Sequence, residues 1–208
     1  MKAFILCNGE IPPLYLFKKN VTQADLIIAA DGGAYHANEL GITANYIIGD
    51  LDSYTPSGDE ASQIIKDPDQ ETNDLEKALN LALKKSAKHA IVVGATGRRL
   101  DHTLKNLSVL LQFHPKFETL FFLDRYCTIQ LVDSPFSQNI EPGTSVSLFP
   151  ISGSVEGITT RGLQYPLTNG VLRNGVQDGS SNKTVKKSVE IEFKKGDLLL
   201  LINHKPSE

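Results

Sequence analysis

Two hydrophobic textures alternate along the first 125 residues. One is a short, unbroken apolar run that stops at glycine or a charged residue. Residues 3–7 stop at Asn8-Gly9, 25–30 at Asp31-Gly32-Gly33, 46–48 at Gly49-Asp50, 89–93 at Gly94 and 119–123 at Asp124-Arg125. Apolar runs without polar alternation predict strands covered on both faces. The other texture repeats with helical spacing. In 74–86 the apolar positions are Leu75, Ala78, Leu79, Ala82 and Leu83, and Asn73 with Glu76 has the form of a helix start. In 101–113, Leu104, Leu107 and Leu111 form one stripe, with His102 and Asn106 on roughly the opposite side. Strands alternating with helices predict a doubly wound, mostly parallel sheet of Rossmann-like type.

Past about residue 126 the helical period disappears. Short β-type runs at 129–132, 145–149, 171–173, 188–193 and 197–202 are punctuated by Pro142-Gly143, Ser152-Gly153, Arg161-Gly162, Asn169-Gly170, Asn174-Gly175 and Lys195-Gly196. Such spacing predicts a small antiparallel sandwich or barrel. The expected fold class is therefore α/β, with an N-terminal domain over 1–128 and an antiparallel β domain over 129–208.

Composition narrows the function classes. Of 208 residues, 40% are hydrophobic and 22% charged, which is ordinary for a globular protein. A net charge of −3 gives no basic stripe for nucleic acid. No apolar run approaches the ~20 residues of a membrane span, and the apolar stretch before Asn8 is too short for a signal-peptide core. Cys7 and Cys127 fit neither a zinc spacing nor a disulfide framework. Two buried thiols in a reducing, cytoplasmic setting are expected.

The chemistry lies in acidic residues at strand ends, where an open parallel sheet binds ligands. Asp31 follows 25–30, Asp50 and Asp52 follow 46–48, Asp101 follows the turn after Gly94, and the stretch DQETND occupies 69–74. Crowded carboxylates disfavour one another's ionised form, and a cation removes that cost. Oxygen donors without His or Cys suit Mg²⁺, Mn²⁺ or Ca²⁺ better than Zn²⁺. Asp50 and Asp52, two apart in an extended segment, would point to one side and either share one metal or hold two. Single positions also have structural uses: Asp31 as a turn former, Asp74 as a favourable charge at a helix start. The stretch GATGRRLDH, 94–102, adds glycines for close backbone approach to phosphate. Arg98 and Arg99 supply forked donors. It lacks the Gly-Lys-Ser/Thr ending of a Walker loop. His102 serves either as a cap or as a ligand contact.

Taken in order, ADGGA at 30–34, GDLDS at 49–53, DQETNDLEKAL at 69–79, GATGRRLDHTLKN at 94–106 and GSSNKT at 179–184 resemble the thiamine pyrophosphokinase family. The resemblance covers nearly the whole chain. It implies an N-terminal α/β domain that binds ATP and metal, and a C-terminal β-sandwich for thiamine and dimerisation. It implies transfer of the diphosphoryl group of ATP to the thiamine hydroxyl, with Mg²⁺ as the metal. Asp50, Asp52 and Asp74 would be the metal carboxylates, with Asp101 beside the reacting groups. Asp31, Gly32, Thr96, Gly97, Arg98, Arg99, Asp101, His102 and Asn106 would serve the nucleotide. Ser53, Gln70, Ser181 and Asn182 would serve thiamine, in a homodimer that binds it between subunits. Departures are Asn73 for the family's usual Thr, Arg98 for a usual glycine, and Lys183-Thr184 where an aromatic commonly stacks on thiamine.

Two other readings start from the same residues. Asp50-Leu51-Asp52 is also the Asp-x-Asp of metal-dependent nucleotide-sugar glycosyltransferases, which leaves the other acidic stretches unused. A non-catalytic nucleotide or thiamine sensor would keep the glycine loop but need no acidic cluster.

Overall fold

The computed structural model describes residues 1–58 and 61–204. The chain divides into two compact units, Met1–Arg125 and Tyr126–Glu208. In the first, β1 (Lys2–Leu6), β2 (Leu26–Ala30), β3 (Tyr46–Gly49), β4 (Gln63–Lys66), β5 (His89–Val93) and β6 (Thr119–Leu123) run parallel in the order β6-β5-β1-β2-β3-β4. Ala3 of β1 pairs with Leu26 on one side and Ala90 on the other. The unbroken apolar runs have the expected cause: Phe4, Ile5, Leu6, Ile28, Val92 and Val93 are all fully buried. The chain steps one way from β1 to β4, then returns to lay β5 and β6 on the other flank of β1. The exits of β1 and β5 therefore bound the crevice where the winding reverses, which is where open α/β sheets bind ligands.

Among the described residues four α-helices join these strands: α1 (Leu14–Val21), α2 (Gly33–Glu39), α3 (Asp74–Lys84) and α4 (Leu100–Phe113). The start of α3 is a complete capping box. Asn73 Oδ1 accepts from Glu76 N and Glu76 Oε2 accepts from Asn73 N, both at 2.9 Å. Its apolar face, with Leu75, Ala78, Leu79 and Ala82, is buried as the spacing predicts. On α4 the leucine stripe is not the buried face. Asn106, Val109, Leu110 and Phe113 face inward, while Leu104 is 58% and Leu100 72% exposed. The sequence reading names neither α1 nor α2. The first buries only Phe17, and the second is seven residues of mostly small or polar side chains, so neither has a legible period.

The second unit is all β: β7 (Cys127–Val132), β8 (Phe136–Asn139), β9 (Ser145–Pro150), β10 (Ser154–Arg161), β11 (Gly170–Arg173), β12 (Gly179–Lys183), β13 (Ser188–Glu192) and β14 (Leu198–Asn203). Antiparallel pairing gives the orders β12-β9-β14-β7 and β11-β10-β13-β8. One core joins the two layers. Val146, Leu148, Leu198 and Leu200 come from the first layer, and Val155, Ile158, Leu172, Val189 and Ile191 from the second. That is a β-sandwich.

Candidate active site

The floor of the site is the seam between β1 and β5. Their exits are zipped by three backbone bonds of 2.8 Å, from Cys7 N to Val93 O, Gly9 N to Gly94 O and Glu10 N to Thr96 O. Only glycine fits at position 9, because a Cβ there would lie 2.1 Å from Thr96 O. Above the seam opens a cavity of about 250 Å³, bordered by Asn8, Asp31, Gly32, Ser53, Asp74, Gly97, Arg98, Arg99, His102 and Asn106. Carboxylates and guanidinium groups thus line one cavity.

Oxygens of Asp31, Asp50 and Asp52 lie within 4.8 Å of one another. The chain brings them together by backbone handedness, and this corrects the extended geometry expected for 50–52. Leu51, between the two aspartates, has φ of 63°, so the pair sits on a tight turn. Asp52 N donates to Asp50 Oδ1 at 3.2 Å across it. Asp31 is itself left-handed, with φ of 42°, a conformation that costs a side chain energy and collects at functional sites. Its Oδ2 accepts from Ser53 N at 3.1 Å, while Oδ1 is buried with no partner among the described residues. Ser53 Oγ donates to Asp52 Oδ1 at 2.9 Å and Gln70 Nε2 to Asp50 Oδ2 at 3.1 Å.

Asp74, the first residue of α3 and predicted as a metal carboxylate, is not one of the three that meet within 4.8 Å; Asp31 takes that place, and Asp74 stands beside it. A Cβ added at Gly49 would stand 2.7 Å from Asp31 Cβ and 3.0 Å from Asp74 Oδ1, so the bare glycine lets both approach. Burial and then the charge of Asp31 push the Asp74 carboxyl up to about 6, against the pull of Lys77. The buried Lys77 ammonium lies 3.6 Å away. Burial also raises Asp31, with hydrogen bonds from Ser53 opposing it and Asp52 adding to it. Asp50 moves the other way, chiefly through the Gln70 amide. The set is what a hard divalent cation needs: all-oxygen donors, one buried oxygen without a partner among the described residues, and two carboxyls, Asp31 and Asp74, that burial shifts toward the neutral form.

The remaining predicted residues divide. Arg99, His102 and Asn106 border the cavity, and Asn106 is buried. Its amide links two elements: Oδ1 accepts from Asn73 Nδ2 at 2.9 Å, and Nδ2 donates to Ala95 O at 2.7 Å. Thr96 is buried and its hydroxyl donates to Asp124. Asp101 stands apart from the acidic group. It is exposed and holds both Nε and a terminal nitrogen of Arg99, which keeps its carboxyl below the ordinary range. In the second unit, Ser181 is exposed on β12 with φ of 58°. Asn182 is buried, and its amide is committed to the main chain of Tyr165: it accepts from Tyr165 N at 3.1 Å and donates to Tyr165 O at 2.8 Å. The Tyr165 ring this clamp presents is 63% exposed.

Sequence reasoning missed Asn8, Gly9 and Lys77. Asn8-Gly9 reads as a simple strand end, and only the winding reversal at β1 marks it as part of a site. Lys77 reads as one more polar position on α3, yet it is buried and donates to Asp67 O at 2.9 Å, pinning the loop that carries Gln70.

Comparison with known proteins agrees across both units. Residues 17–122 match the model of "Thiamin pyrophosphokinase, catalytic domain", and 135–198 that of "Thiamin pyrophosphokinase, vitamin B1 binding domain". Thiamine pyrophosphokinase 1 of Arabidopsis thaliana is 31% identical over 98% of this chain and 86% of its own length. Thiamine pyrophosphokinase of Bacillus subtilis is 28% identical, over 85% and 86%. The crystal structure of thiamin pyrophosphokinase from Geobacillus thermodenitrificans superposes with a TM-score of 0.84 at 25% identity, covering 100% of this chain and 99% of that one. The yeast enzyme gives the same score at 19% identity, which speaks for the fold. These likenesses favour neither a glycosyltransferase nor a sensor. They cover the same stretches whose carboxylates, glycine loop and β-sandwich are described above, and the chain belongs to the thiamine pyrophosphokinase family.

Proposed function

We propose that this protein transfers the diphosphoryl group of ATP to the hydroxyl of thiamine, releasing AMP and thiamine diphosphate. The observation that carries the proposal is the convergence of Asp31, Asp50 and Asp52 within 4.8 Å, at the edge of a cavity also bordered by Arg98 and Arg99. In the reaction a bond forms between the thiamine oxygen and the β-phosphorus. The bridge to the α-phosphate breaks, AMP keeps the bridging oxygen, and the hydroxyl proton is released. Chemistry of this kind depends on positioning and charge neutralisation.

Asp50, Asp52 and Asp74 are the residues assigned to hold Mg²⁺, with Asp31 as a fourth donor. When bound, the cation supplies charge that offsets what develops on the phosphate oxygens. Arg98 and Arg99 grip the polyphosphate, and Asp101 keeps the Arg99 fork aimed. Gly32, Thr96 and Gly97 let the nucleotide approach main chain, while Asn106 and His102 fix and border the loop. Gln70 and Ser53 hold Asp50 and Asp52 on the side where the hydroxyl must arrive. On the thiamine side, Ser181 offers a hydroxyl, and Asn182 acts through the Tyr165 ring it clamps, an aromatic face for a flat heterocycle. The two domains divide the work: the first takes ATP and metal, the second thiamine and the contact of a homodimer that binds thiamine at the subunit interface. The exposed leucines of α4, which belong to the first domain, give that domain a share of the contact between copies. Two unlinked, buried thiols suit a reducing cytoplasm.

The test is to incubate the purified protein with ATP, Mg²⁺ and thiamine and to quantify AMP. AMP that appears only with thiamine, in step with thiamine diphosphate, is the expected result. AMP formation without thiamine, or binding of both compounds without turnover, rejects the proposal.

A further inference from the structure

Arg98 occupies a backbone position that suits glycine, with φ of 53° directly after Gly97 at 81°. A left-handed conformation is costly for a residue with a Cβ, and such cost persists where the geometry is used. The side chain reaches back across the seam, where a terminal nitrogen donates to Asn8 Oδ1 at 2.6 Å. This bond is not needed to join the two loops, because the backbone bonds of Gly9 and Glu10 to Gly94 and Thr96 already do so. Asn8 takes one of the five guanidinium donors. Both residues border the 250 Å³ cavity, and Arg98 also borders a second one of about 300 Å³ beside Glu10 and Arg125. The first cavity thus has guanidinium groups facing it as well as the carboxylates of Asp31 and Asp74. A polyphosphate carrying a divalent cation has the matching sequence of charges.

We infer that Asn8 and Arg98 form a clasp for the polyphosphate of the nucleotide, Arg98 as the contact and Asn8 as the positioning residue that aims it. The inference rests on the ATP-dependent reading above, and it gives residue 98 a role where the family usually has glycine. A forked donor held by a neutral amide is already oriented, so fewer side-chain rotamers are lost when phosphate arrives.

The test reads binding without turnover. Tripolyphosphate with Mg²⁺ is titrated into the protein by calorimetry, and melting is measured without ligand. Arg98→Gly is expected to melt no lower than wild type, because the backbone strain is relieved, while its tripolyphosphate Kd weakens about tenfold or more. Asn8→Ala is expected to weaken the same Kd by about threefold to tenfold and to leave the thiamine Kd within about twofold. Arg98→Lys keeps the charge without the fork and is expected to weaken binding several-fold, which serves if the glycine variant does not fold. Unchanged tripolyphosphate Kd in these variants overturns the clasp, and so does a lower melting temperature for Arg98→Gly, which would make the arginine structural. A protein that binds tripolyphosphate through Arg98 but forms no AMP keeps the clasp and loses the proposed reaction.

Discussion

Asp31, Leu51, Arg98 and Ser181 are four of the six described non-glycine residues with positive φ, and each lies in a stretch that the sequence marks as chemical. The residue types were legible: paired aspartates, a glycine–arginine loop, a Ser-Asn pair. Their convergence was not, because the turn at Leu51 depends on backbone handedness that side-chain patterns do not report. The carboxylates also carry a testable pH signature. Asp74 titrates near 6 in the fold against an ordinary 3.8. The fold thus favours its protonated form. That benefit is whole below the ordinary value and is lost as pH rises through the folded one. Metal-free protein should therefore lose melting temperature between about pH 4 and pH 7, and saturating Mg²⁺ should flatten the slope. Asp74→Asn should raise the metal-free melting temperature at pH 8 and reduce the slope, leaving the part due to Asp31. Asp52→Asn should fold normally and lose turnover by about 100-fold or more. Rates like wild type would remove Asp52 from the mechanism.

Between elements, the side chain of Asn106 ties the cap of α3 to the loop after β5. Asn106→Leu is about isosteric and deletes both bonds, leaving Ala95 O without this donor. A loss of about 1–3 kcal/mol is expected, read by urea denaturation, together with a raised KM for ATP and a smaller change for thiamine. Equal stability would mean that water replaces the amide. Periodicity foresaw α3 well because its cap, apolar face and length agree. It put α4 in the right place but picked out the leucine stripe of Leu104, Leu107 and Leu111, whereas the face that is buried carries Asn106, Val109, Leu110 and Phe113. Short elements such as β4, β8 and β12 contain too few apolar residues to signal at all.

For the molecule as a whole, helices end before the second unit begins at Tyr126, because the long crossovers of the parallel strands need helices and antiparallel hairpins do not. Assembly is the property least visible in one chain. The outward leucines of α4 are its best trace, and Leu104→Glu is expected to shift the protein toward monomer in sedimentation velocity with its circular dichroism unchanged. An unaltered sedimentation coefficient would assign that face to solvent.

The seam beneath the cavity has a consequence for how the protein can vary. At Gly9 any added atom meets a neighbouring carbonyl, and the strand exits are already mutually bonded. Replacements there should surface as poor yield of folded material long before they surface as weak substrate affinity. The rim is open, and Arg98, Arg99 and His102 point from exposed positions. Natural drift and laboratory selection are thus steered to the same place: a fixed basin whose lip alone is free to be retuned.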